Sequence, residues 1–226
     1  MTPIRTSIVA LLAVLLSAGA TYGAKPPDTW DDLVKVKSKK LDLVYLHPGA
    51  DFRGYTKVMI DPTEVAFRKN WARDYNSGAI GLSGRVSDAD VRKVVDQSAK
   101  VATEIFSEEF GRAGYPVVTT EGEDVLRIRT GVINISVNAP DVRTMGRSRT
   151  YSGEAGEATL VVEVRDSITG EILGRAVDRR LAGDTSMLMR NSVTNRADFR
   201  TLTKRWAKIS VNGVNELKAL SPIGDQ

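Results

Sequence analysis

Two stretches of this sequence repeat their apolar residues at three- and four-residue spacing, and each carries a single apolar stripe. In the first, Val91, Val94, Val95, Ala102, Ile105 and Phe106 line one side of a helix that Gly114 and Pro116 stop. Ser87 precedes it with Asp90 three residues on, the spacing of a capping box, and Asp88 adds charge that suits the helix dipole. In the second, Phe199, Leu202, Trp206, Ile209, Gly213 and Leu217 form the stripe, and Asn195 with Asp198 marks its start. Gly213 within that stripe predicts close packing against a neighbour. Such helices must bury their stripes against something, and the rest of the chain reads as strands. The economical arrangement is α+β: one mostly antiparallel mixed sheet with both amphipathic helices packed on one face.

The strands follow from two-residue alternation and from the breakers between them. Leu41 to Leu46 is the first; Tyr55 to Phe67 is the second, interrupted at Pro62, which marks an edge strand or a bulge. Residues 73–87 are polar, contain Gly78, Gly81 and Gly84, and predict a long loop. Tyr115 to Thr119 reads as a short strand. Along Val125 to Val137 the apolar positions run Leu126, Ile128, Val132 and then change phase to Ile133, Ile135 and Val137, which predicts a bulge beside Gly131. Residues 138–156 form a second long loop, and Ala158 to Arg165 and Glu171 to Leu181 pair about the turn D-S-I-T-G.

The N-terminal end has a different character. Arg5, an apolar run from Ile8 to Leu16 and then small residues are ordered as in a secretory signal peptide, with Ala20 or Ala24 at the cleavage point. The run is far shorter than the roughly 20 residues a membrane-spanning helix needs. Residues 25–40 read as an extended leader, since Pro26 and Pro27 forbid helix, and residues 41–220 as a single α+β domain. Loss of the signal segment takes Arg5 and no acid, so the formal charge of +4 becomes +3. Spread over about 60 ionisable residues, that is no nucleic-acid footprint, though it leaves room for peripheral contact with an anionic membrane surface. The chain has no cysteine, so an exported product has no disulfide and its core must supply the stability.

Three stretches, Y-T-K-V-M-I-D-P-T-E-V-A-F, A-G-Y-P-V-V-T-T-E-G-E-D-V-L-R-I-R-T-G-V and A-T-L-V-V-E-V-R-D-S-I-T-G-E-I-L-G-R-A-V-D-R-R, resemble the proteobacterial exported proteins of domain-of-unknown-function family 3313. The resemblance spans most of residues 41–182. It implies no activity, ligand or catalytic residue, because none is established for that family. Many members look like lipoproteins with a cysteine at the cleavage point. The missing cysteine here departs from that pattern and favours a soluble periplasmic or secreted protein.

No motif in the chain assembles a reaction centre. His47, the single histidine, sits in L-H-P-G, where proline and glycine turn the chain at a strand end, and it brings no partner with it. No serine elbow, phosphate-cradling glycine loop or metal-ligand spacing occurs, so neither a metal nor a cofactor is expected. The acid pairs Asp31-Asp32, Glu108-Glu109 and Glu121 with Glu123-Asp124 fall on surfaces and turns, and Asp178-Arg179-Arg180 reads as an ion-paired sheet edge. Trp206 belongs to the core, while Trp30 and Trp71 are not spaced as a stacking platform. The remaining candidate is Arg143, Arg147 and Arg149 beside Tyr151, alternating arginines able to grip a phosphate or carboxylate. These observations favour a noncatalytic envelope protein whose long loops and sheet edge bind another envelope protein or a surface component. A periplasmic carrier of an apolar or anionic small ligand ranks second, and a hydrolase using carboxylates and His47 last.

Overall fold

The computed structural model describes residues 25–78, 85–138, 151–152, 154–183, 188–189 and 192–224. Its centre is an antiparallel hairpin, strand β8 (Gly156–Asp166) with strand β9 (Ile172–Ala182), flanked by strand β6 (Val125–Val137) and strand β3 (Leu43–Leu46). On the far side of β3 lie β2 (Leu33–Val36) and β1 (Thr29–Trp30). On the far side of β6 lie β4 (Lys57–Ile60) and β5 (Glu64–Phe67), both parallel to it. The sheet is therefore mixed and mostly antiparallel, with its parallel pairs at one edge. Strands β7 (Tyr151–Ser152) and β10 (Leu188–Met189) form a separate two-stranded pair.

Three helices complete the described residues: α1 (Trp71–Gly78), α2 (Asp88–Arg112) and α3 (Ser192–Leu220). Helices α2 and α3 pack against each other, α2 over β4 and β5 and α3 over β8 and β9. Phe106, Phe110 and Trp206 from the helices meet Val58, Leu126, Ile128 and Leu160 from the sheet in one buried cluster. The α+β arrangement expected from the two stripes is the one observed. Ser87 and Asp90 form the reciprocal capping box at the start of α2.

Several local expectations need correction. The leader is not separate from the sheet, because residues 29–36 supply β1 and β2. Their two-residue turn, Asp31-Asp32, holds both residues at positive φ, 50° and 63°, a twist that suits a tight hairpin. Residues 71–78 are helical, which shortens the loop expected over 73–87. Trp71 stacks on Phe67 at 4.5 Å and on Tyr75 at 6.0 Å, so burial of aromatic rings, with Trp71 as the anchor, holds a short polar helix together. The stretch after Tyr115 makes only one bridge, Val117 to Val58, and is no strand.

The bulge in β6 exists, but lies beyond Gly131. Pairing with β8 runs evenly to Ile133, then skips to Ser136, with Asn134 at φ 53° as the extra residue. In α2 only the C-terminal half of the stripe is buried, and Val94 remains 45% exposed. Helix α3 begins three residues before Asn195, and a Cβ on Gly213 would meet nothing within 4 Å, so that glycine does not mark close packing. Asp178 lies inside the core, not on an edge, since β9 is an inner strand.

Candidate functional site

Alternation along the strands divides the sheet into two chemistries. Leu126, Ile128, Leu160, Val162 and Val164 point at the helices. The intervening residues, Arg127, Arg129, Glu163 and Arg165, point the other way, and on β9 Arg175 joins them. In register, Arg127 stands opposite Arg165, Arg129 opposite Glu163, and Glu163 opposite Arg175. The outer face thus carries a block of guanidinium and carboxylate groups where a sandwich would carry a second apolar layer.

The block is fixed at one end by a buried network. Arg175 donates through Nε and Nη2 to Glu163 Oε2 at 3.1 and 2.7 Å, and through Nη1 to Asp31 at 2.9 Å. Arg165 Nε donates to the other Glu163 oxygen at 2.5 Å and Arg165 Nη1 to the Gly170 carbonyl at 2.7 Å. The Arg175 guanidinium also lies 4.1 Å from the Trp30 ring centre, and Trp30 packs edge-on against Tyr45. Burial, with Asp28 nearby, raises the Tyr45 pKa, and its hydroxyl donates to the Pro27 carbonyl.

At the other end the pairing is incomplete. Arg127 Nε donates to both Asp61 oxygens, at 3.0 and 3.1 Å. Arg129 Nε approaches the same carboxylate to 3.3 Å without hydrogen-bond geometry, and it is buried with no acceptor. Desolvation lowers the Arg129 pKa; Asp61 and Glu163 oppose that, while Arg165 and Arg127 add to it. Glu64, where β5 begins, is raised by desolvation with Arg129 pulling the other way.

Of the residues singled out from sequence, Arg143, Arg147 and Arg149 lie outside the described residues. Tyr151 belongs to β7, opposite Met189. His47 occupies the expected corner: its amide donates to the Leu173 carbonyl, and its Nε2 stands 3.5 Å from Glu171 at the surface. The acid pairs do not converge. Asp31 serves Arg175, Glu108 and Glu109 both meet Arg112, Glu121 stands 3.8 Å from Arg127, and Asp124 takes Thr56 and Lys57. Among the described residues no helix is long and apolar enough to cross a membrane.

The outer block was missed, although R-I-R at 127–129 and E-V-R at 163–165 show its signal, charge on every second residue of an otherwise apolar strand. Strand register, which brings these two segments and Arg175 of β9 side by side, is a tertiary fact.

Comparison with known proteins returns solved structures of low identity and low TM-score. No curated protein matches the chain. The PelC dodecamer from Paraburkholderia phytofirmans is similar at 12% identity over 81% of this chain and 98% of that one, with a TM-score of 0.36. A DUF330 family protein from Xanthomonas campestris is similar at 9% over 77% and 91%, with a TM-score of 0.39. A putative neuraminyllactose-binding hemagglutinin homolog from Helicobacter pylori is similar at 13% over 75% and 86%, with a TM-score of 0.31. Likeness at this level transfers no function. The family model described as protein of unknown function, DUF3313, matches residues 30–209, and the chain belongs to that family.

Proposed function

We propose that this protein is a noncatalytic recognition module of the cell envelope, exported by its N-terminal leader, and that it binds an envelope partner or surface component through the outer face of its sheet. The observation that carries this reading is the half-buried setting of that face's arginines. The side chains of Arg127, Arg129 and Arg165 are only 29%, 16% and 20% exposed, so their conformations are fixed before any partner arrives. Preorganised guanidinium groups lose little freedom on binding and select planar or tetrahedral anionic groups by geometry. The arrangement suits binding better than turnover, since its carboxylates Asp61 and Glu163 are engaged by arginines and His47 stands against Glu171. A periplasmic pull-down with the whole mature protein at several salt strengths tests the reading. A partner whose recovery falls as salt rises is expected; recovery no better than background at every salt strength contradicts it.

A further inference from the structure

We infer that Arg127, Arg129 and Arg165 together form a binding site for a phosphate-class oxyanion, a refinement that rests on the outer face being the recognition surface. Three relationships lead there. Arg127 and Arg165 stand directly opposite each other on neighbouring strands, a like-charge pairing that the carboxylates of Asp61 and Glu163 hold in place. The carboxylates within reach are already engaged by these arginines, and Glu121 stands 3.8 Å from Arg127. Asp61 accepts from Arg127 with both oxygens, and Glu163 gives one oxygen to Arg165 and the other to Arg175. Finally, the Arg129 side chain donates no hydrogen bond among the described residues, although its Nε is buried and lies 3.3 Å from Asp61.

Arg129 lies two residues from Arg127 on the same face, close enough for the Arg127 and Arg165 charges to act on it. Arg165 Nη2 likewise has no acceptor among the described residues, its Nε and Nη1 being occupied. Water could accept these N–H groups one at a time. An oxyanion with three or four acceptor oxygens accepts several of them at once, and bidentate guanidinium contacts favour it over chloride. The same group could arrive as free phosphate or on a phospholipid headgroup.

The test is thermal unfolding of the whole mature protein in millimolar sodium phosphate or sodium sulfate against sodium chloride at equal ionic strength. Low concentrations keep general salting effects small. Saturable stabilisation by the oxyanions is expected, with apparent affinity falling about tenfold or more in Arg129→Gln. Should that variant fold poorly, Arg127→Gln gives the same reading. Sedimentation with phosphatidylglycerol vesicles against phosphatidylcholine vesicles identifies the source: binding to the former in place of free phosphate assigns a lipid headgroup. Equal shifts in chloride and phosphate with no vesicle preference, or unchanged affinity in both variants, would overturn the site. Loss of partner capture on neutralising this face, without oxyanion binding, would overturn the site and leave the recognition reading standing.

Discussion

Trp206 Nε1 donates to the Asp178 carboxylate at 2.8 Å inside the core, joining the middle of α3 to an inner strand. The same carboxylate pairs with the Arg180 guanidinium and accepts from the Asp42 amide at 3.2 Å. A buried charge with this many partners is costly to orphan. Asp178→Ala strips Arg180 of that partner and leaves the indole N–H unsatisfied, and should cost about 3–5 kcal/mol in urea unfolding. Trp206→Phe should cost less than Trp206→Ala, because the ring's packing survives.

Glu163 and Arg175 form a second buried pair, with side chains 3% and 1% exposed. Glu163→Gln should destabilise by about 3–5 kcal/mol, since Arg175 keeps its charge and loses its main acceptor. Replacing both by apolar residues of similar volume should recover much of that loss, measured as a double-mutant cycle in urea.

Two glycines should respond in opposite directions. Gly213→Ala enters open space on α3 and should stabilise by about 0.5–1 kcal/mol, the ordinary cost of glycine within a helix. Gly156→Ala would drive a Cβ into the Ser136 carbonyl oxygen where β6 and β8 pair, and should cost about 1–3 kcal/mol or more. Urea midpoints on the two variants check both signs.

The Tyr55–Asp166 hydrogen bond, 2.9 Å, sets opposite pH limits through its two partners. Burial raises the Tyr55 pKa, and the Asp166 carboxylate raises it further. Tyr55 thus contributes stability fully present below its unfolded pKa of about 10 and lost as pH climbs through the raised folded value. Burial opposes ionisation of Asp166, yet hydrogen bonds from the Thr169 amide, Tyr55 and the Ile168 amide hold its pKa below the usual carboxylate range. That contribution is present above pH of about 4 and fades as pH falls through the depressed value. The contribution of this pair should therefore be flat between these limits, and Tyr55→Phe should remove part of the alkaline loss. Urea unfolding from pH 2 to 12 measures both limits.

What could be read from sequence was what local chemistry decides. Ser87 and Asp90 satisfy each other within one turn, Pro62 cannot donate to a ladder, and Gly170 takes φ 72° in the β8–β9 turn. What escaped depends on distant contacts. Helix α1 is polar and short, and stands because Trp71 is buried between Phe67 and Tyr75. The β1–β2 hairpin turns on Asp31-Asp32, without the glycine that usually announces such a turn. The arginine candidate read from sequence, residues 143–149, lies outside the described residues, while the arginines that do converge come from two strands, β6 and β8, that register brings together.

The central claim is that the outer sheet face recognises an anionic partner. The most direct measurement compares, at low salt, capture of envelope components by the wild-type mature protein and by an Arg127→Gln/Arg129→Gln double variant of verified fold. A component held saturably by the wild type and lost from the variant is the predicted result. Equal recovery by both proteins would contradict the account.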